Sequence, residues 1–286
     1  QPQKLVAIWH GPIFILMNPS QALKNRFLKA WFVSDLEWAL LLKPPYPDWD
    51  GVANIIETPE DAKKVCEKIK QAEWFTFDCE TFGQLWEPDF KLLSIAIAPK
   101  GSPDAWVWNM QALNTRAVCA PLEALFLDEK VSKVGQSIKF DLQAIKCGLG
   151  IQIPRASVGL DTRLLRRLMD AEAEANLEVM AFLVGAGGHK NEAIACMNKV
   201  IGKTKKVITA RSEHGAVGLA IEEAYERGID PKAYAFAAIP SDILDRYNAL
   251  DTVTTDKLAV KFQKKMEQQE HIKHTWASTV GKASHT

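Results

Sequence analysis

Residues 74–81 read Trp-Phe-Thr-Phe-Asp-Cys-Glu-Thr, a run of aromatic residues and threonine that ends in two carboxylates separated by one residue. This composition predicts a β-strand. Residues two apart on a strand share a face, so Asp78 and Glu80 are expected to project side by side. Two carboxylates held that close repel each other unless a cation lies between them, and a hard divalent ion suits oxygen ligands. The triplet alone is more typical of a solvated strand end than of a metal site, so other parts of the chain must decide.

The composition sets broad limits on the class of protein. With 286 residues, 47% hydrophobic and 24% charged, the chain is long enough for one large domain or one domain with appendages. Lys+Arg and Asp+Glu both number 35, so the formal net charge is zero and the overall composition does not indicate a strongly basic nucleic-acid binder. Any affinity for phosphate groups has to come from local patches or from bound metal.

The cysteines and the apolar segments indicate a cellular setting. The five cysteines include no Cys-x-x-Cys pair and are odd in number, which favours reduced thiols over a disulfide framework. No apolar stretch reaches the length of a membrane span, and no signal peptide is visible. We therefore expect a soluble, monomeric, cytoplasmic protein with no membrane partner.

The N-terminal 50 residues predict a separate segment. Residues 5–17 form an apolar, strand-like run, and residues 21–43 have the apolar spacing of a helix. This piece resembles the final strand and helix of uracil-DNA glycosylase-like domains, without that family's active-site front half. The motifs that carry the resemblance are His10-Gly11-Pro12, Asn18-Pro19 and Asp35-Leu36. The resemblance implies a packing remnant or a connector.

A domain boundary is predicted near residue 50. Residues 43–51 read Lys-Pro-Pro-Tyr-Pro-Asp-Trp-Asp-Gly, which is typical of a stiff, extended linker. The chain starts at Gln1 and stops without a helix-ending signal, which indicates a piece of a longer protein. We therefore divide it into an N-terminal remnant and linker (1–50), a main domain (51–270) and the start of a missing C-terminal region (271–286).

The main domain has the element order of an α/β protein. A helix is predicted after Thr58-Pro59, where a capping residue precedes a proline at the first helical position. Three consecutive antiparallel strands are predicted at 74–81, 91–98 and 105–110. Alternating helices and strands follow at 117–127, 131–135, 140–147, 158–170 and 176–184, and a long helix spans 241–269. This order is that of a ribonuclease-H-like mixed sheet flanked by helices.

Four short motifs stand at the ends of these predicted elements. They are Asp78-x-Glu80, the segment Gly-Gln-Ser-Ile-Lys-Phe-Asp at 135–141, Asp161-Thr162, and Tyr247-x-x-x-Asp251. Tyr247 and Asp251 are four residues apart and therefore share one face of a helix. In this order and spacing, the motifs resemble the proofreading 3′–5′ exonuclease domain of family A DNA polymerases, in the branch of the DnaQ-like superfamily with four acidic ligands and a tyrosine. The resemblance covers about residues 53 to 270.

The resemblance implies a two-metal site for phosphodiester hydrolysis. Asp78, Glu80 and Asp251 would hold the cation, Mg²⁺ or Mn²⁺, that activates water, and Asp78 would bridge to a second cation about 4 Å away. Asp141 would hold that second cation directly or through water. Tyr247 would orient the attacking water, because its unperturbed pKa near 10 makes it a poor general base.

The same resemblance implies contacts to the nucleic acid. The residues concerned are Thr81, Phe82, Gln136, Ser137, Lys139 and Phe140. Phe82 follows the first two acids and would stack on a terminal base, although a core aromatic is equally compatible with its position. Ser137 departs from the family, which usually has Asn there, and this puts a substrate contact in doubt but no metal ligand. The basic residues within 198–211 predict either phosphate contacts or a solvated segment.

Three functions remain open from the sequence. The first is a 3′–5′ exonuclease on single-stranded or frayed DNA ends, the proofreading part of a polymerase covalently linked in the full-length protein. The second is a free-standing RNA 3′-processing exonuclease of the ribonuclease-D type, which shares the same acids. The third is an inactive scaffold domain that only binds DNA or the polymerase, and the four intact acids argue against it. A replication protein of a bacterium or a phage, in the cytoplasm of the host cell, is the expected source.

Overall fold

The computed structural model describes residues 19–24, 32–33, 36, 49–112, 116–171, 173–186, 191–204, 210–269, 272 and 274–277. The predicted strand at 5–17, most of the predicted helix at 21–43, and most of the proline-rich linker lie outside these residues. So do Lys205 and Lys206 of the basic segment, and residues 278–286. The division of the chain into domains therefore stays a prediction.

The core of the protein is a mixed six-stranded sheet. Its strands are β1 Ala53–Ile55, β2 Trp74–Phe82, β3 Lys91–Pro99, β4 Ala105–Asn109, β5 Ser132–Gly135 and β6 Val158–Asp161. Their order in the sheet is β1-β4-β3-β2-β5-β6. Strands β2, β3 and β4 pair antiparallel, whereas β5 pairs parallel with β2 and with β6. The predicted ribonuclease-H-like α/β fold is thereby confirmed.

One strand was not predicted from the sequence. Strand β1 has only three residues and pairs parallel with β4 at the edge of the sheet. A segment this short, directly after a proline-rich stretch, carries too few alternating positions for a pattern to be recognised.

Helices precede, connect and follow the strands. They are α1 Pro19–Lys24, α2 Pro59–Ile69, α3 Arg116–Leu127, α4 Lys139–Leu149, α5 Thr162–Met169, α6 Leu177–Ala181, α7 Asn191–Thr204, α8 Ala210–Glu226, α9 Lys232–Ala235 and α10 Ser241–Glu267. Short 3₁₀ turns occur at Arg155–Ser157, Phe182–Val184 and Phe236–Ala238. Thr58 caps α2 as predicted, because its hydroxyl accepts the N–H of Asp61 at 3.1 Å. Within the described residues, none of the helices has the length and apolar character needed to cross a membrane.

Strand β2 is buried on both of its faces. Phe75 and Phe77 face the cluster formed with α2, α3 and α4, where Phe126 packs edge-on against both rings. Thr76 faces the opposite side, and its hydroxyl lies 3.2 Å from the carbonyl oxygen of Thr252 on α10. Since side chains alternate along a strand, Asp78 and Glu80, which lie two and four residues after Thr76, also face α10.

Helix α10 lies close to the sheet because the contact is made by small residues. Ala96 and Val107 of the sheet are buried against Ala249 and Val253 of the helix. About one turn after Val253, Asp256 attaches the helix to the start of β2, because its carboxylate accepts the Trp74 indole N–H at 2.8 Å. This packing holds the middle of α10 over the end of β2.

A β-bulge interrupts the pairing of β2 with β3 beside the two acids. Glu80 pairs with Ser94, but Thr81 pairs with Leu92, so Leu93 is the extra residue. Leu93 and Phe82 then join a second apolar cluster with helices α7 to α10. The bulge therefore bends the sheet at the position where the carboxylates leave it.

Candidate active site

Three carboxylates converge between the end of β2 and the middle of α10. Asp78, Glu80 and Asp251 each offer an oxygen, and these three oxygens lie within 4.8 Å of one another. Glu80 and Asp251 are buried, with 6% and 4% of their surface exposed, whereas Asp78 is half-buried. The structure therefore brings together the three acids predicted to share the first cation, although they are up to 173 residues apart in the chain.

Asp141 approaches the same strand from its other side. It lies in the first turn of α4, is 3% exposed, and its Oδ1 accepts the backbone N–H of Cys79 at 3.1 Å. Burial and the charge of Asp78 raise the pKa of Asp141 well above its ordinary value. Asp141 is not part of the group of three within 4.8 Å, so its role as a ligand of a second cation stays a prediction.

Cys79 separates the first two acids and is a residue that the sequence reasoning passed over. Its thiol is buried, and burial together with the neighbouring carboxylates raises its pKa well above the ordinary value. The thiol therefore remains neutral beside the acids.

Tyr247 lies one helical turn before Asp251 and shares its face of α10. The ring is 8% exposed, and the hydroxyl is hydrogen-bonded to the Asp251 carboxylate. Burial, followed by the charges of Asp251 and Glu80, raises the pKa of Tyr247 above its ordinary value. The phenol is therefore neutral and acts as a donor, which agrees with a positioning group and not with a general base.

The ligand set fits a divalent cation. All the donors are carboxylate oxygens, which are the ligands that Mg²⁺ and Mn²⁺ prefer. Burial, and after it the charge of Asp78, raises the pKa of Asp141, so the nearby carboxylates add repulsion to the cost of burying this acid. A bound cation would relieve this repulsion. That the ions number two, and that they are Mg²⁺ or Mn²⁺, stay predictions.

Asp161 organises the two turns next to the acids. Its carboxylate accepts the N–H groups of Ser137 and Ile138 at 3.2 and 3.0 Å, and those of Arg163 and Leu164 at 2.9 and 3.1 Å. One carboxylate thus caps α5 and also holds the turn that leads into α4. The signal for this role is visible in the sequence, because Asp161-Thr162 stands where a strand passes into a helix, but the second turn is joined to it only by folding.

The residues predicted to touch nucleic acid fall into two groups. Phe82 is 8% exposed and packs edge-on against Tyr234, with 5.5 Å between ring centroids, and Thr81 is buried beside it. The Gln136 side-chain amide donates to the carbonyl of Ala175 at 2.9 Å and its oxygen accepts the Thr162 hydroxyl. These three side chains are engaged by the protein itself, and their contacts to substrate stay predictions.

The second group is accessible to solvent. Lys139 is exposed, Phe140 has 43% of its surface exposed, and Ser137 is partly buried. All three lie within four residues of Asp141, at the start of α4. Their side chains are therefore available for contacts at the edge of the acidic site.

A loop after β2 carries an arrangement that the sequence did not reveal. The buried carboxylate of Glu87 accepts the Tyr234 hydroxyl at 2.7 Å and the Gln84 N–H at 2.9 Å, and it pairs with Arg227 at 2.8 Å. Burial raises the pKa of Glu87, but the hydrogen bonds from these three partners lower it by more, so the net shift is downward. The loop is therefore attached to α9 and to the turn that follows α8, and no local pattern around Glu87 indicates partners about 140 residues away.

Comparisons with known proteins agree with this geometry. The model of the 3′–5′ exonuclease family matches residues 53–267. No curated protein matches the chain. Among solved structures, the EXO domain of Nibbler from Aedes aegypti has a TM-score of 0.52 at 11% identity, covering 82% of this chain and 97% of that domain.

Two further solved structures are less similar. The catalytic core of RRP6 from Trypanosoma brucei has a TM-score of 0.48 at 14% identity, covering 82% of this chain and 53% of that one. RNase D of Escherichia coli has a TM-score of 0.41 at 15% identity, covering 78% of this chain and 48% of that one. This chain thus spans about half of each of these two proteins. The family model, by contrast, matches most of this chain, and the chain therefore belongs to the 3′–5′ exonuclease family.

Proposed function

We propose that this chain removes nucleotides from the 3′ end of single-stranded or frayed DNA, with two divalent cations as cofactors. The observation that carries the proposal is the convergence of Asp78, Glu80 and Asp251 within 4.8 Å, with Asp141 and Tyr247 at its margin. A cation site built only of carboxylate oxygens, one of them on the half-buried Asp78, suits metal-assisted hydrolysis of a phosphodiester. Mg²⁺ or Mn²⁺ bound there would neutralise charge on the phosphodiester and lower the pKa of the attacking water.

The protein's own groups keep the site in a fixed geometry. The Tyr247 hydroxyl donates to Asp251 and so restricts the rotation of a carboxylate that would bind the cation. The backbone N–H of Cys79 does the same for Asp141. Both acids are thereby oriented before substrate arrives, which lowers the entropic cost of forming the reactive arrangement.

A polymerase domain covalently linked to this chain would make the activity a proofreading one. The resemblance of the motifs to family A polymerases supports this context. Unpairing of a terminal base costs a few kcal/mol and is cheapest at a mismatch, so a site that accepts only single strands would favour mispaired ends.

RNA is the second candidate substrate. The carboxylates would contact only the cations, which in turn bind the phosphodiester that DNA and RNA share. Their geometry therefore supports hydrolysis of DNA and of RNA equally. The ribose 2′-hydroxyl is the group that distinguishes the two, and it has to be read by residues outside the acidic cluster. A protein that binds DNA without cutting it is the third possibility, and the intact acids argue against it.

The experiment compares DNA and RNA strands of one sequence, each labelled at the 5′ end, with Mg²⁺, with Mn²⁺ and with EDTA. We expect a ladder that shortens from the 3′ end with metal and not with EDTA, and faster shortening of DNA. The matched control is Asp251→Asn, which keeps the shape of the side chain but not its charge. Strands that stay at full length with Mn²⁺ and excess protein would contradict the proposal, and faster cleavage of RNA would select the second candidate.

A further inference from the structure

The turn that contains Ser137 has an unusual backbone. Ser137 has φ 58°, in the left-handed region that non-glycine residues rarely adopt. The turn is held there by Asp161, which accepts the N–H groups of both Ser137 and Ile138. The Ser137 hydroxyl is consequently presented in a defined direction at the start of α4.

Arg163 is attached to this turn at two points. Its backbone N–H donates to the same Asp161 carboxylate at 2.9 Å, and its Nη1 donates to the Ser137 hydroxyl oxygen at 3.1 Å. In the part of the chain that the structure describes, no carboxylate pairs with this guanidinium. Because a guanidinium has five N–H donors, most of its hydrogen-bonding capacity faces solvent.

The Arg163–Ser137 pair lies at the rim of the acidic site. Thr76 of β2 pairs with Val134 of β5, so the chain that follows Val134 reaches the level of Asp78. The contact of Asp141 with the Cys79 N–H shows independently that the first turn of α4 abuts the acids. The same rim carries Phe140, with 43% of its surface exposed.

The charges at this rim are complementary to a nucleic-acid strand. The interior of the site is a cluster of carboxylates, which repels phosphates other than the one held by cations. A strand that places its 3′ end among these acids needs a cation for its next phosphates. Arg163 is an exposed cation without a carboxylate partner among the described residues, oriented by hydrogen bonds at the entrance.

We propose that the Arg163 guanidinium, oriented by the Ser137 hydroxyl, binds a phosphate of the substrate strand on the 5′ side of the cleaved bond. This assignment rests on the proposed function. It also gives a role to Ser137, which stands where the family usually has Asn. The short Ser137 hydroxyl accepts a hydrogen bond from Arg163. The other N–H groups of the arginine then reach the nucleic-acid strand. Arg163 is thus a substrate-binding residue, and Ser137, which acts through it, is a positioning residue.

Helix α5 offers a matched control. Arg167 lies one turn after Arg163, is also exposed and carries the same charge, but its Nη1 donates to the carbonyl of Ala171 at 2.9 Å. Replacement of either arginine by alanine changes the net charge equally. Only the loss of Arg163 removes a cation attached to the turn beside the acids.

The experiment measures binding and cleavage separately. Anisotropy of a 5′-fluorescein-labelled single DNA strand in EDTA gives the affinity without cleavage, from about 50 mM to about 200 mM salt. Steady-state cleavage with Mn²⁺ gives kcat and KM. The proteins are the parent, Arg163→Ala, Arg163→Lys, Arg167→Ala and Ser137→Ala, each checked by a thermal melt.

We expect Arg163→Ala to weaken binding and raise KM by about tenfold, with kcat within about twofold of the parent. The slope of log K against log salt should fall by about 0.7, the value for one phosphate contact on a single strand. Arg163→Lys should keep the slope and recover part of the affinity. Ser137→Ala should also keep the slope but weaken binding slightly, and Arg167→Ala should match the parent.

The contradicting outcomes are distinguishable. If the parent cleaves the strand while Arg163→Ala and Arg167→Ala agree in KM and in salt dependence, the assignment of Arg163 is wrong and the proposed function stands. If Arg163→Ala lowers kcat and leaves KM and affinity unchanged, the substrate-binding role of Arg163 is likewise wrong. A parent protein that neither binds nor cleaves the strand overturns the proposed function, and the assignment with it.

Discussion

The carboxylate of Asp141 accepts a hydrogen bond of 3.1 Å from the backbone N–H of Cys79, the residue that separates Asp78 from Glu80. A side chain of helix α4 is thereby attached to the strand that presents the first two acids. This contact fixes the position of the fourth acid relative to the others. A mutation that keeps an acceptor oxygen at residue 141 but removes its charge can therefore test the two contributions separately.

Asp141→Asn should abolish cleavage without loss of stability. The amide oxygen can still accept the Cys79 N–H, while a buried negative charge close to Asp78 is removed. We therefore expect a metal-free melting temperature equal to or above that of the parent, and a rate lower by at least about 10²-fold. Asp141→Ala is the comparison, because it leaves the Cys79 N–H unpaired and should cost about 1–3 kcal/mol. An asparagine variant that is less stable in EDTA than the alanine variant would refute this reading of the contact.

Tyr247→Phe should lower the rate and leave cation binding nearly intact. The change removes only the hydroxyl that donates to Asp251, and the buried ring keeps its packing. Positioning effects of this kind are worth roughly 10²-fold. Single-turnover cleavage measures the rate, and the rise in melting temperature with Mg²⁺ measures cation binding. An unchanged single-turnover rate would show that Tyr247 has only a structural role.

Divalent cations should stabilise the parent, and Asp78→Ala should lose this response. A ligand that binds only the folded state at a hundredfold excess over its Kd adds about 2.7 kcal/mol to the free energy of unfolding. Asp78→Ala removes one of the three converging oxygens, so its melting temperature should rise much less with millimolar Mg²⁺ or Mn²⁺. In EDTA the variant should be as stable as the parent or more so, because it carries less like charge. Equal metal-induced shifts in both proteins would show that the acids do not share a cation.

Asp256 should make the stability depend on pH. Burial raises the pKa of this carboxyl to about 6, against the hydrogen bonds from Trp74 and Gly101 that lower it. Because the folded pKa lies above the unfolded one, the charged carboxylate costs stability at neutral pH, and this cost is relieved as the pH falls from above 6 towards 4.

Asp256→Asn removes this titration and serves as the reference. The difference in free energy of unfolding, parent minus variant, should increase as the pH falls from 7.5 to 4.5, by at most about 3 kcal/mol. Urea unfolding across this range measures it. A difference that is constant or decreases towards acid pH would show that Asp256 titrates normally in the folded protein.

Ser137→Asn should stabilise the fold slightly. The left-handed backbone at φ 58° is unfavourable for serine, whereas asparagine adopts it more readily. We expect a gain of about 0.5–1 kcal/mol in urea unfolding, reduced by the loss of the exposed bond from Arg163. Ser132→Asn, on a strand with ordinary backbone angles, is the control and should give no gain. A loss of stability at Ser137 comparable with that at Ser132 would contradict the backbone argument.

The sequence was sufficient for the order of most elements and for three of the site residues that meet. Strand β1 and the helices α7, α8 and α9, between residues 191 and 235, were not predicted. Alternation along residues 74–81 places Asp78 and Glu80 on one face of a strand, and the four-residue spacing puts Tyr247 and Asp251 on one face of a helix. These are consequences of backbone geometry alone. That the two faces meet was an expectation from family resemblance, and the structure brings Asp78, Glu80 and Asp251 together.

The surroundings of the site depend on packing between distant segments. From its position in the sequence, Phe82 could either stack on a base or belong to the core. In the structure it is buried, because the bulge at Leu93 and the ring of Tyr234, 152 residues away, enclose it. The attachment of Asp141 to Cys79 likewise requires α4 to lie across β2. No local pattern encodes either contact.

What the sequence by itself determined about this protein is therefore most of the strands and helices up to residue 184, the long helix α10, and the face on which each acid lies, because these follow from period and local propensity. The tertiary structure decided the short strand β1, the two turns joined at Asp161, and the exposed guanidinium of Arg163 beside Ser137. Each of these is a hydrogen-bonded arrangement between segments far apart in the chain, and its free energy exists only once the sheet has aligned their ends.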